Sequence, residues 1–143
     1  MTAASEPLRL IAQDADDLAV LSAALQDAVA KIGDISFEPA ARRLTIAFNR
    51  YRWEAAGRKR ERVRAGLQFG GVLQVQARNL RRDAPGAVIE LLAVSFEPGE
   101  APGGSVTLAF AGGGDLRLEV ECVDAALADL SDAWPARSAP AHE

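Results

Sequence analysis

Between Phe48 and Phe69 the chain reads FNRYRWEAAGRKRERVRAGLQF, with seven basic side chains, Tyr51 and Trp53 inside twenty-two residues. A guanidinium grips phosphate or carboxylate through two parallel hydrogen bonds and also stacks on aromatic faces. Arginines interleaved with Tyr51 and Trp53 could therefore hold single-stranded nucleic acid, with bases on the rings and phosphates along a basic groove. The same residues suit a structural purpose, with Arg50 or Arg52 lying over Trp53 as a cation–π pair. A run such as RKRER is also the ordinary composition of a solvated loop.

The charge count locates where an anionic partner would bind. Twelve of the sixteen basic residues lie between Arg42 and Arg82, opposed there only by Glu54 and Glu61. That segment carries +10, and the remainder, with four basic and eighteen acidic residues, carries −14 within a net charge of −4. Such segregation bears on surface potential and association rather than on fold. The candidate anion-binding residues are Arg50, Tyr51, Arg52, Trp53, Arg58, Lys59, Arg60, Arg62 and Arg64, with Arg78, Arg81 and Arg82. RNA or an acidic protein surface would match them. The acidic remainder of a second copy would too, giving a salt-dependent homo-oligomer.

Other chemistry is poorly supplied. Zinc needs several His or Cys ligands, and the chain has one of each, Cys122 and His142. A lone cysteine also excludes an intrachain disulfide. Cys122 reads as an inward-facing, apolar strand residue, and His142 lies too near the end of the sequence to anchor a catalytic arrangement. Asp14, Asp16 and Asp17 crowd a helix start, where capping explains them better than calcium. Gly112, Gly113 and Gly114 form a hairpin turn rather than a phosphate loop, because no helix start and lysine follow. Glu90, in a strand apolar on both faces, is the most notable carboxylate. If buried alone its pKa would rise; pairing with an arginine of the basic segment is the better expectation. Glu90 or the carboxylates near Asp14 would carry the alternative reading, a small-molecule-binding protein or enzyme with a pocket carboxylate. No catalytic residue, metal or cofactor is assigned.

The elements that position these residues follow from hydrophobic periodicity. LRLIA (8–12) reads as a strand. DADDLAVLSAALQDAVAKI reads as a helix, with Leu18, Leu21, Leu25, Ala28, Val29 and Ile32 spaced by threes and fours and Asp14 at the cap. Strands follow at DISFE (34–38) and RLTIAF. After Phe48 the alternation carries Arg50 and Arg52 onto the apolar face and puts Tyr51 and Trp53 opposite, which predicts a bulge near Asn49 or the strand's end. A basic loop from Ala55 to Arg60 then leads into a returning strand. Val63 to Ala77 reads as two strands with an irregular Gly70-Gly71 connection, because a two-residue hairpin there would split the apolar face. RRDAPG turns into the central strand AVIELLAVSFE. After a turn at PGEAPGG, Val106, Leu108 and Phe110 pair with Leu116, Leu118 and Val120. DAALADLSDAW reads as a second helix, capped by Asp124 with Leu127, Leu130 and Trp134 on one side.

These blocks carry a resemblance. FNRYRWE, RVRAGLQF, ELLAVSFEPGEAPGGSVTLAFAGGGDLRLEVECVDAALADL and the closing Pro140-x-His142, in this order after LRLIAQDADDLAVLSAALQDAV, resemble the bacterial domain of unknown function family 2948 over residues 8 to 142. The resemblance implies a small stand-alone bacterial protein and carries no activity, cofactor or site residue.

The expected fold class is α+β: an antiparallel β-sandwich or partial barrel of about seven to eight strands, with an N-terminal helix and a closing C-terminal helix. That is the outline of a pleckstrin-homology-like barrel. At 143 residues and 49% apolar composition, a single domain over 7–134 with flexible tails at 1–6 and 135–143 is expected. With no signal peptide and no apolar run near the roughly 20 residues a membrane helix needs, a soluble cytoplasmic protein is expected. The leading function is a non-enzymatic binding or adaptor module for an anionic partner.

Overall fold

The computed structural model describes residues 7–55 and 60–136. Its elements, in chain order, are β1 (Arg9–Ala12), α1 (Ala15–Ala24), β2 (Val29–Lys31), β3 (Ile35–Glu38), β4 (Arg43–Tyr51), β5 (Glu61–Phe69), β6 (Val72–Arg78), β7 (Val88–Pro98), β8 (Gly104–Phe110), β9 (Asp115–Val120), β10 (Ala125–Asp129) and β11 (Trp134–Pro135). The expected tails at 1–6 and over most of 135–143 lie outside the described residues, as do 56–59 of the basic loop.

All eleven strands join one antiparallel sheet, ordered β1-β10-β5-β4-β2-β7-β8-β9-β6, with β3 beside β4 and β11 beside β5. This overturns the expected sandwich or partial barrel of seven to eight strands, and with it the pleckstrin-homology-like outline. The sheet is open: β1 and β6 stand at its two ends, and no closing helix exists among the described residues. One buried cluster nevertheless takes Phe48, Leu67 and Phe69 from one part of the sheet and Leu108, Phe110 and Leu118 from the other. Both parts therefore turn their apolar face to a shared core, with Leu18 and Leu21 of α1 packed into it.

The N-terminal helix forms where its cap predicts. The Asp14 side chain accepts from the Asp17 N–H at 2.8 Å, satisfying one of the free amides at the helix start. The helix stops at Ala24, short of the expected Ile32. Asp27 adopts φ 62° and its N–H donates to the Leu91 carbonyl at 2.9 Å. Leu91 N–H then donates to Ala28 at 2.8 Å, and β2 docks on β7. Pairing with β7 replaces helical bonds that the apolar spacing alone had extended.

The second expected helix is a strand. Ala125 and Leu127 are buried while Ala126 is exposed, a period of two. β10 lies between β1 and β5 in unbroken register. Alanine at three of its five positions obscures the alternation and raises helix propensity, but two neighbouring strands supply every backbone group with a partner.

β4 also departs from expectation. It pairs with β5 residue by residue from Leu44↔Phe69 to Tyr51↔Arg62, with no bulge at Asn49. Gly70 and Gly71 join two strands that never pair: β5 sits between β4 and β10, and β6 runs along β9. Gly71 turns the chain at φ +64°, and a Cβ on Gly70 would lie 2.5 Å from an Asp124 carboxylate oxygen. At Gly71 the positive φ favours glycine, whereas a side chain at Gly70 would require Asp124 to swing aside.

Candidate functional site

Unbroken register in β4 puts Arg50 on the same face as Leu44, Ile46 and Phe48, and its side chain is 0% exposed. A lone charge there would be prohibitive. Two carboxylates make it tolerable. Arg50 Nε and Nη2 donate to Asp129 Oδ1 and Oδ2, each at 2.9 Å. Nη1 and Nη2 donate to Glu54 Oε1 and Oε2 at 2.9 and 2.7 Å. Asp129, at the end of β10, has a side chain 2% exposed that also accepts the Leu8 N–H at 2.8 Å. Glu54 comes from the short 3-10 turn Trp53–Ala55, four residues on.

Burial by itself lowers the pKa of the Arg50 guanidinium, but the hydrogen bonds and charges of Glu54 and Asp129 outweigh it and hold it above its ordinary value. Burial likewise pushes Glu54 up, and Arg50, with help from Arg52, brings it below the ordinary carboxylate range. This cluster is a closed ion-pair network in which both carboxylates grip one guanidinium. With Nη1 also donating to the Tyr51 carbonyl at 3.4 Å, all five N–H donors of Arg50 are used within the fold.

The neighbours are committed as well. Arg52 is buried and pairs with Glu61. Arg62 donates to the Asn49 carbonyl at 3.1 Å. Arg64 bridges Asn49 Oδ1 at 3.2 Å and Asp34 Oδ2 at 3.1 Å. Tyr51 is buried, its ring meeting Trp53 edge-on at 4.7 Å. Trp53 Nε1 donates to the Gln26 carbonyl at 3.0 Å. The rings serve each other rather than presenting parallel faces to a stacked base. Arg60 is exposed, its carbonyl accepting the Ala136 N–H at 2.8 Å. Arg58 and Lys59 lie outside the described residues.

Arg78, Arg81 and Arg82 are elsewhere, on β6 and the turn after it, at the far end of the sheet order. All three are exposed. Here the sheet's outer face forms a cleft of about 600 Å³ lined by Gln76, Arg78, Arg82, Thr107, Asp115 and Arg117. Register explains the grouping: Gln76 lies opposite Arg117 and Arg78 opposite Asp115 on β9, while Arg117 lies opposite Thr107 on β8. Arg78 donates to Asp115 at 2.6 Å, and that bond raises its pKa. Arg117 contacts Glu119 at 3.1 Å and Ser105 Oγ at 3.2 Å. Among the described residues Arg82 makes no side-chain ion pair or hydrogen bond. Arg117 lies outside the basic segment; its outward position was readable from alternation, but its place beside Gln76 depends on the β6–β9 pairing.

A second, more apolar cleft of about 340 Å³ lies on the inner side of β6, lined by Ile35, Phe37, Leu44, Val75, Leu80 and Leu116. Arg82, Val75 and Ala77 border both clefts.

The remaining candidates sit apart. Glu90 is half-buried on β7 opposite Val29, and it lines neither cleft. Asp14 and Asp17 hold backbone amides of the α1 start. Cys122 is half-buried beyond the end of β9 rather than inside it. Among the described residues no three or more His, Cys, Asp and Glu side chains gather as a metal site, and no helix is long and apolar enough to cross a membrane.

No curated protein and no solved structure matches the chain. A family model does, across residues 8–142, and the chain belongs to that family, described as a protein of unknown function (DUF2948).

Proposed function

We propose that the protein is a non-enzymatic binding module for an anionic partner, and that its contact face is the arginine cleft over β6 and β9. The observation that carries this reading is one cleft lined by Arg78, Arg82 and Arg117. In it Asp115 pairs with Arg78 and Glu119 with Arg117, and among the described residues Arg82 is left as surplus positive charge. Positive charges gathered in one concavity raise the local potential toward an approaching anion. Arg82, with no partner of its own among the described residues, loses no ion pair on binding. Arg50, Arg52, Arg62 and Arg64 support the face only by holding the opposite part of the sheet.

Fluorescence polarisation with labelled oligoglutamate and labelled oligouridylate tests the reading. At least one probe is expected to bind in a salt-dependent way, and Arg82→Glu with Arg117→Glu is expected to weaken it by about tenfold or more. Binding unchanged in that double variant, or no binding of either probe at low salt, would overturn the reading.

A further inference from the structure

Edge strands send alternate backbone N–H and C=O groups away from their one partner. β6 is such a strand: among the described residues it pairs only with β9. It runs seven residues, VLQVQAR, against four in β1 and four in β3, and contains no proline. Leu73, Gln74, Gln76, Ala77 and Arg78 are exposed along it. Its start is tied down, because the Val72 N–H donates to the Arg42 carbonyl at 2.9 Å. The pairing with β9 is irregular between Val72 and Gln74, which blunts the start of the edge. From Gln74 to Arg78 the register is regular, the length of an average strand, and Arg78 is its one charged residue.

The two faces of β6 open onto different clefts. Gln76 and Arg78, opposite Arg117 and Asp115, stand over the arginine cleft. Val75 and Ala77, opposite Leu118 and Leu116, stand over the apolar cleft with Ile35, Phe37 and Leu80. The clefts meet along β6, where Val75, Ala77 and Arg82 border both. A molecule laid along that edge meets apolar walls on one side and guanidinium groups on the other.

An extended peptide repeats on the same period of two, its side chains pointing to alternate faces. We propose that β6 takes up an extended peptide of alternating apolar and acidic residues as an added strand. Its apolar side chains enter the cleft at Ile35, Phe37 and Leu80, and its carboxylates face Arg82 and Arg117. Backbone hydrogen bonds supply affinity and the two clefts supply sequence preference. This inference rests on the anion-binding reading above and names the partner's class. RNA offers phosphates to the arginines but no row of N–H and C=O groups to match the edge. A second copy pairing through its own β6 brings Arg78 and no acid, so it lacks the complementary charge.

The test titrates full-length protein against a labelled, capped peptide of alternating valine and glutamate, matched in length to β6. Two analogues carry N-methyl groups, one on every valine amide and one on every glutamate amide. Strand addition uses the amides of one phase only, so one analogue is expected to lose binding and the other to keep it. Arg82→Glu, an exposed change that spares the core, is expected to weaken the parent peptide about tenfold. Equal binding of both N-methylated peptides would overturn strand addition while leaving the arginine cleft an anion site. Binding of oligouridylate with none of the peptide would do the same. Binding of neither probe would overturn both readings. A dimer in light scattering that the peptide cannot dissociate would overturn the inference by giving the edge to a second copy.

Discussion

Arg50 and Arg82 belong to the same basic stretch of sequence and have opposite fates. Arg50 is sealed at the end of β4 between Glu54 and Asp129, with its side chain 0% exposed. Arg82 stands in solvent at the junction of two clefts. What separates them is acid within reach, and that depends on sheet order. β10 brings Asp129 to Arg50 from 79 residues away, whereas β9 offers the β6 region Asp115, which Arg78 takes. Density of positive charge along a chain therefore does not tell how much of it is left unpaired at the surface; sheet order does.

The comparison breaks if the buried cluster is dispensable. Asp129→Ala removes both bonds to the Arg50 Nε edge and the acceptor of the Leu8 N–H. Breaking a buried pair by removing one partner costs about 3–5 kcal/mol, so urea unfolding of this variant is expected to shift by that amount. A shift under 1 kcal/mol, on the order of an ordinary surface pair, would place Arg50 with the exposed arginines.

Acid sharpens it. Glu54 titrates below its ordinary value of 4.5 in the folded state. Its pairing with Arg50 is therefore fully present above pH 4.5 and is lost as pH falls through the lowered value. Glu54→Gln is expected to flatten the stability profile in that acid window. Arg82→Ala is expected to leave the profile parallel to the wild type's, because no carboxylate among the described residues depends on Arg82. The smallest effect belongs to Arg82→Ala at neutral pH, within about 0.5 kcal/mol of wild-type stability. A larger loss would show that Arg82 holds the fold.

The strands whose partners lie close in sequence were legible. The alternation of Val106, Leu108 and Phe110 against Leu116, Leu118 and Val120 gives β8 and β9 directly, and the Asp14 cap gives the start of α1. Elements set by distant partners were misread. Val29–Lys31 is a strand because β7 receives it, and Ala125–Asp129 because β1 and β5 flank it. For the site, parity had placed Arg50 on the core face all along. The bulge is expected because the same parity turns Tyr51 and Trp53 away from the core. The carboxylates that make a buried Arg50 tolerable, Glu54 and Asp129, are not visible as its partners in local pattern. The positive charge was countable; its neutralisation was a tertiary property. The same holds for Arg117, which only the register of β6 on β9 brings to the cleft.

Asp129 also ties together parts of the chain that are far apart in sequence. Through one carboxylate it joins Leu8, 121 residues earlier, to Arg50 in the middle of the chain. During synthesis, a chain emerging from the ribosome has β4 and β5 long before it has β10. Until Asp129 arrives, Arg50 has only Glu54 as an acid partner, and the edge of β5 that β10 will occupy stays open to other chains. Such long-range closure raises contact order and slows the last step of folding. The pairing of β10 with β5 and β1 is therefore the longest-range closure that Asp129 depends on.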